Sequence, residues 1–223
     1  MIRTIKSLLK LFFGSPPTPT PQEKLKSIDF RSGLGDSVAL ITGLVKSLKP
    51  QVCVEIGSAR GYSACHIGLA LKENGQGKLF AIDPHKPTNW NDTESVETLP
   101  IIQANLKTLG LTEVVEIVRK TSEEAVVGWK HTIDLLFIDG DHSYEGVKKD
   151  WDLFIPFVSK FGVVVFHDTI WDLEPDPKWV RSDMGVPRFV DELRLQGYQV
   201  LTINRDFGVS LVQPTKGGLP LVK

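Results

Sequence analysis

The stretch LLFIDGDHSYEGVKKDWDLF, from Leu135 to Phe154, changes from a buried strand to an amphipathic helix within a few residues. Four titratable residues stand at this change: Asp139, Asp141, His142 and Glu145. A continuous apolar run followed by a helix is typical of a strand in a parallel sheet that helices cover on both faces. Because ligands of such sheets bind outside the carboxyl ends of the strands, we expect these side chains to lie at the functional edge.

The rest of the chain repeats this alternation. Strands are predicted at 51–57, 78–83, 114–120, 133–139 and 162–168, each followed by a helical pattern, and two final strands at 198–203 and 207–213 are separated by only three residues. So short a connection predicts an antiparallel hairpin. Asp36 precedes the first helical pattern and is expected to cap it. The sequence therefore predicts a three-layer α/β fold with a mostly parallel seven-stranded sheet and an antiparallel last strand.

Composition and charge are those of an ordinary globular protein. Of the 223 residues 41% are hydrophobic and 24% are charged, and the formal net charge is −1. The lack of a positive excess argues against nucleic acid as a partner. Cys53 and Cys65 lie in apolar segments without disulfide or zinc spacing, which is typical of reduced core thiols and fits the cytoplasm.

The sequence divides near residue 36. Residues 1–35 are expected to form an N-terminal segment with a Pro-rich linker, and residues 36–223 are expected to form one domain. The apolar run at the start is too short to span a bilayer. Two docking modes stay open for this segment: contact with a membrane surface, or contact with the second subunit of a homodimer.

A glycine turn follows the first predicted strand. Gly57 and Gly61 allow the backbone to bend and to approach a ligand, and the helix that follows offers free N–H groups to an anion. A dinucleotide-binding turn would need glycine at positions 59 and 62, where this chain has Ala59 and Tyr62. A nicotinamide cofactor is therefore disfavoured. Asp83 ends the second strand, where a carboxylate can accept the hydroxyls of a ribose.

Together these segments resemble class I S-adenosylmethionine-dependent methyltransferases, and more narrowly a group of small O-methyltransferase-like proteins. The resemblance rests on VEIGSARGYS (54–63), AIDPH (81–85) and the run 133–169, and it covers about residues 36–212. It implies a Rossmann-like methyltransferase fold with S-adenosyl-L-methionine as the cofactor. The cofactor-binding residues that it implies are Glu55, Gly57, Ser58, Gly61, Tyr62 and Ser63 near the methionine end, Asp83 at the ribose, Ser122 beside the adenine and Asp139 near the sulfonium.

Residues for the chemistry stand at the ends of the fourth and fifth strands. His142 is the preferred general base, because an unperturbed imidazole has a pKa of about 6.5, and Asp141 is the alternative. Metal-dependent relatives carry acids at these strand ends, so the resemblance implies Mg²⁺ or another divalent cation at Asp139, Asp168 and His167. A histidine at position 167 departs from that pattern, and it favours a softer ion, a weaker site or no metal.

The resulting prediction is a methyltransferase that modifies a hydroxyl of a small-molecule acceptor. Two alternatives stay open. One is a methyltransferase that acts on nitrogen, protein or RNA, and the other is a cofactor-binding module without catalysis. Two long loops, 84–100 and 169–187, are expected to contact the acceptor, because long connections at the ligand edge are usually functional.

Overall fold

A computed structural model describes residues 19–87, 90, 97–173, 176, 178 and 180–217. The strands are β1 Val52–Ile56, β2 Lys78–Ile82, β3 Val115–Val118, β4 Ile133–Ile138, β5 Val158–His167, β6 Tyr198–Ile203 and β7 Val209–Lys216. The α-helices are α1 Pro21–Lys26, α2 Val38–Leu48, α3 Tyr62–Asn74, α4 Leu99–Leu109, α5 Ser122–Val126, α6 Tyr144–Phe154 and α7 Val186–Leu195.

The strands form one seven-stranded sheet in the order β3-β2-β1-β4-β5-β7-β6. The first five strands pair in parallel, and β7 pairs antiparallel with both β5 and β6. The predicted fold class is therefore confirmed, including the closing hairpin. The order of strands places β1 and β4 side by side at the centre, so the two turns that follow them meet at one edge.

Helices cover both faces of the sheet and create two apolar cores. One core joins the sheet to α2, α3 and α4, and it contains the side chains of Ile41, Ile67 and Leu106. The other joins the sheet to α5, α6 and α7 through residues such as Trp151 and Phe189. The sheet is thus the middle one of three layers, as predicted.

The predicted cap of α2 was wrong. Asp36 lies inside a short 3₁₀ turn, Gly35–Ser37, and its carboxylate pairs with Arg205 at 2.7 Å. Ser37 takes the cap position without a capping side-chain hydrogen bond. After α6 the chain continues as a 3₁₀ turn, Ile155–Phe157, because Pro156 cannot continue a regular α-helix.

The N-terminal side of the predicted boundary contributes to the fold. Thr20 caps α1 with its hydroxyl oxygen, which accepts from Glu23 N at 3.2 Å. Phe30 and Leu34 are buried in the first core although they precede residue 36. Cys53 and Cys65 are buried free thiols, as expected. Among the helices that the structure describes, none is long and apolar enough to cross a membrane.

Candidate active site

The glycine turn brings the ends of β1 and β4 into direct contact. Gly57 has a φ of 89°, and its N–H donates to the carbonyl of Ile82 at 2.9 Å. A Cβ atom at position 57 would lie 2.2 Å from the carbonyl oxygen of Asp139 and 2.6 Å from Cα of Gly140. Both the backbone conformation and the close approach therefore require glycine here.

The carboxylate of Asp83 is fixed beside this turn. Its Oδ2 accepts hydrogen bonds from the backbone N–H groups of Ser58 at 3.0 Å and Ala59 at 2.8 Å. Its Oδ1 accepts from His85 N at 2.6 Å. A carboxylate has about four acceptor positions, so Asp83 can still accept a ligand hydroxyl while it holds the turn.

A cavity of about 810 Å³ opens at this edge of the sheet. Most of the site residues predicted from the sequence line it: Gly57, Ser58, Tyr62, Ser63, Asp83, Ser122, Asp139, Asp141, His142, His167 and Asp168. Glu55 and Gly61 are not among the lining residues. The topology therefore collects eleven of the thirteen predicted residues around one space, large enough for a nucleoside and an acceptor.

Glu55 is buried away from the cavity, contrary to its expected place near the methionine end of the cofactor. It is 0% exposed, and Ser63 Oγ donates a hydrogen bond to its Oε1. Burial raises the pKa of Glu55 to about 8, so the carboxyl group is largely protonated at neutral pH. Gly61 likewise acts from outside the cavity, as the N-cap of α3 with a φ of 85°.

Two histidine–aspartate pairs stand at the ends of β4 and β5. Nδ1 of His142 lies 3.0 Å from Oδ2 of Asp168, and Nδ1 of His167 lies 3.1 Å from Oδ1 of Asp139. His167 Nδ1 is also 3.3 Å from Oδ1 of Asp168, which links the two pairs. The side chains of Asp139 and His142 are half-buried, whereas His167 and Asp168 are each 4% exposed.

The contacts of His167 do not suit its predicted role as a metal ligand. Its Nδ1 faces Asp139, and its Nε2 lies 2.8 Å from the carbonyl oxygen of Asp206. Burial disfavours the charged ring, but the carboxylates of Asp168 and Asp139 outweigh it and raise the pKa of His167 to about 9. At neutral pH the ring is then a cation that donates at both nitrogens and offers no lone pair.

His142 takes the place of His167 in the candidate metal set. One ligand atom from each of Asp139, His142 and Asp168 lies within 4.8 Å of the others. Two carboxylates and an imidazole are a donor set that a divalent cation can use. The protonated His167 holds one of these carboxylates in place, as outer hydrogen-bond partners of ligands commonly do.

The carboxylate of Asp141, the alternative base, already accepts hydrogen bonds from neighbouring groups of the protein. Its Oδ1 accepts from the backbone N–H of Ser143 at 2.9 Å and from Nε1 of Trp90 at 2.9 Å. Trp90 also stands edge-on against His142, with ring centroids 5.1 Å apart, and the guanidinium carbon of Arg181 lies 3.9 Å from the centre of its ring. Trp90 and Arg181 come from the two long loops, so both loops reach the predicted site; Trp179 lies outside the described residues.

Sequence reasoning missed two parts of the cavity. Phe30, Gly33 and Leu34, from the predicted linker, line it together with Phe207. Asp150 also lines it and is 4% exposed. The helical period gave a usable signal, because Asp150 lies three residues after the buried Val147 and so falls on the inner face of α6.

Comparisons with known proteins agree with this fold. The model of a methyltransferase-domain family, Methyltransf_24, matches residues 54–169, just over half of the chain. The protein therefore belongs to this methyltransferase family. The uncharacterized protein y4gI of Sinorhizobium fredii is 30% identical over 154 residues, which make up 65% of this chain. The chain spans only 17% of that relative's length.

Solved structures share the fold across almost the whole chain. The SAH-bound methyltransferase PaMTH1 of Podospora anserina superposes with a TM-score of 0.67 at 16% identity, over 95% of this chain and 94% of that one. The O-methyltransferase TomG of Streptomyces achromogenes, solved in complex with SAM, gives 0.63 at 15% identity, over 94% and 95% of the two chains. Both are Rossmann-like methyltransferases, and this chain has their fold.

Proposed function

We propose that the protein is an S-adenosylmethionine-dependent methyltransferase that acts on a hydroxyl group of a small molecule. The observation that carries the proposal is the meeting of the glycine turn, Asp83 and the His142–Asp168 pair around one cavity. Membership of the methyltransferase family supports it. So does the binding of SAH and SAM by the fold neighbours PaMTH1 and TomG, the latter involved in tomaymycin synthesis.

The residues along this edge of the sheet match the successive parts of the cofactor. Asp83 accepts from the ribose hydroxyls, and the turn at Gly57 and Ser58 borders the methionine end. Ser122, at the start of α5, borders the adenine. Asp139 lines the same cavity and pairs with His167, so an activated methyl group near Asp139 is beside the residues that handle the acceptor.

His142 and Asp168 form the catalytic pair of this proposal. In the neutral ring, an Nδ1–H donated to Asp168 leaves the lone pair on Nε2, which then takes the proton of the acceptor hydroxyl. Asp168 is buried, so it orients the ring and stabilises the imidazolium that forms. The cation at His167 offsets the negative charge of Asp139 and Asp168 nearby.

Asp139, His142 and Asp168 are also the residues that would hold a divalent cation. When bound, such a cation would lower the pKa of the acceptor hydroxyl and orient it. A ring nitrogen of His142 that binds the ion is no longer free to donate to Asp168 or to take the proton of the acceptor, so the metal-dependent and metal-free forms of the proposal differ in the role of His142. Turnover before and after treatment with a chelator separates the two forms.

Calorimetry tests the proposed function first. We expect SAH to bind the full chain and NAD not to bind. Transfer from radiolabelled S-adenosylmethionine to a panel of phenols and sugar alcohols, with the matching amines as controls, then tests the acceptor class. Binding of NAD without SAH would contradict the proposal, and methylation of the amines alone would favour the alternative of N-methylation.

A further inference from the structure

The sheet has an apolar surface at its β6 edge, away from the cavity. In the register of β6 and β7, Leu201 lies opposite Leu211, and Ile203 lies opposite Val209. Both β7 residues contribute to the first core, so Leu201 and Ile203 point to the same side of the sheet. Leu201 is nevertheless 62% exposed, and Ile203 is exposed as well. The helices that the structure describes on that side therefore leave β6 uncovered.

The uncovered surface continues across β5 to one flank of α2. Phe161 in β5 is 67% exposed and lines a hollow together with Leu48, the last residue of α2. Leu40 and Leu44 precede Leu48 at intervals of four residues, so the three leucines form a stripe along that flank. Exposed apolar side chains grouped in this way mark an interaction surface. We call this group the apolar face: Leu40, Leu44, Leu48, Phe161, Leu201 and Ile203.

The sequence before the described residues contains a segment whose pattern fits such a surface. In residues 2–14 apolar side chains recur at intervals of three or four: Ile2, Ile5, Leu9 and Phe12. Cationic side chains recur at the same intervals: Arg3, Lys6 and Lys10. This spacing is typical of a helix with one apolar and one basic side. A helix of this length is marginal in water on its own, so it needs an apolar surface to pack against.

The described chain begins close to the apolar face. Nε2 of Gln22, in the first turn of α1, lies 2.8 Å from Oε1 of Glu73, and Nζ of Lys46 lies 2.7 Å from Oε2 of the same carboxylate. Lys46 belongs to the last turn of α2, so α1 begins beside the end of that helix. Leu48 points to the opposite flank of α2, about 10 Å across the helix. Residues 15–19, SPPTP, can span about 15 Å at the usual rise of a proline-rich chain, which is enough to reach it.

We propose that residues 2–14 pack as an amphipathic helix on the apolar face of their own chain, with the three cations directed to solvent. The short proline-rich connection holds the segment near the face at a high effective concentration, which a second copy of the chain lacks. Two other occupants compete with this assignment. The face could instead join two copies of the chain, or the segment could leave the face and bind an anionic membrane surface.

Amide hydrogen exchange of the full chain, followed by mass spectrometry in lipid-free buffer, tests the proposal. We expect the amides of residues 5–12 to exchange at least about tenfold more slowly than in an unfolded chain, because burying a single Leu or Phe side chain stabilises by that factor or more. Leu201→Asp puts a charge on the apolar face and should abolish this protection. Leu195→Asp is the matched control, since Leu195 is exposed at the end of α7, which packs on the other side of the sheet, and it should keep the protection.

Three results would overturn the inference. Unprotected amides in the wild type would exclude docking, whether or not vesicles of anionic lipid then protect them. Protection that persists in folded Leu201→Asp would place the segment elsewhere; Phe161→Asp, at the other end of the apolar face, replaces this variant if it fails to fold. Protection that appears only at a protein concentration high enough to form dimers, as measured by sedimentation, would assign the face to a second copy.

Discussion

His167 donates a ring N–H to the carboxylate of Asp139, with Nδ1 and Oδ1 3.1 Å apart, and thereby ties the end of β5 to the end of β4. Its other nitrogen donates to the carbonyl of Asp206, in the turn between β6 and β7. Oδ2 of Asp206 in turn accepts from the backbone N–H and the hydroxyl of Ser37, both at 2.8 Å. One imidazole thus joins the catalytic edge to the N-terminal strap, residues 30–37, five of which line the cavity.

The first prediction concerns this junction. His167→Gln removes a buried cation and leaves Asp139 and Asp168 facing each other, so we expect the free energy of unfolding to fall by about 3 kcal/mol or more. Urea denaturation measures the change. His131→Gln, at an exposed imidazole, is the control and should cost much less. Equal losses in the two variants would show that the His167 contacts add no stability.

The second prediction concerns Asp83, which holds both the turn and the proposed ribose. Asp83→Asn should weaken SAH binding by about 1–3 kcal/mol, or about fivefold to 150-fold in Kd. Asp134→Asn is a matched control, because Asp134 Oδ2 also accepts from two backbone N–H groups, of Gln51 and Val52, but outside the cavity. We expect the control to lose stability without losing affinity. A similar loss of affinity in both variants would argue against direct contact with the ribose.

The third prediction concerns the contact between the turn and β4. Gly57→Ala places a methyl group 2.2 Å from the carbonyl oxygen of Asp139 at a positive φ, so the turn must move. We expect SAH binding to be lost below detection and the melting temperature to fall. Gly43→Ala, where a Cβ meets nothing within 4 Å inside α2, should leave binding intact and raise stability by about 0.5–1 kcal/mol. Intact binding by the first variant would contradict the assigned geometry.

The fourth prediction concerns Glu55 and pH. Its pKa is about 8 in the folded protein against an ordinary value of 4.5, so between these values the folded state holds a proton that the unfolded chain releases. The contribution of protonated Glu55 to the free energy of unfolding is complete below about pH 4.5. It is lost as the pH rises to about 8, at no more than about 1.4 kcal/mol per pH unit. Glu55→Gln lacks this dependence.

Urea denaturation at several pH values checks this prediction. The stability of Glu55→Gln relative to the wild type should rise as the pH is raised through this window. Glu116→Gln, at an exposed strand residue paired with Lys78, should show no such trend. A difference between Glu55→Gln and the wild type that stays constant with pH would mean that Glu55 is ionised in the folded protein.

The sequence was informative where a local pattern determined the structure. Apolar runs and glycine exits predicted the strands, and the rule for ligands of parallel sheets placed Asp83, Asp139 and Asp168 at one edge. The position of each of these residues depends on where its strand ends, and a strand end can be recognised from a few neighbouring residues. The place of His142 beside Asp168 depends on the pairing of β4 with β5, which the structure shows.

Contacts between distant segments could not be predicted in this way. The role of His167 depends on the carbonyl of Asp206, 39 residues away, and no local pattern signals that partner. Glu55 lies in β1 and is buried beneath α3, where Ser63 donates to it. The resemblance to methyltransferases implied a cofactor contact for Glu55 and gave no sign of this burial. Asp150 was not among the predicted site residues, although its position in the helical period puts it on the inner face of α6.

A structure of the protein with bound SAH would show whether Gly57, Asp83 and Asp139 surround one nucleoside. We expect the ribose hydroxyls to lie within about 3 Å of the Asp83 carboxylate, with the sulfur near Asp139 and the homocysteine tail along the turn at Gly57. SAH bound elsewhere, or a ribose that makes no contact with Asp83, would contradict this expectation.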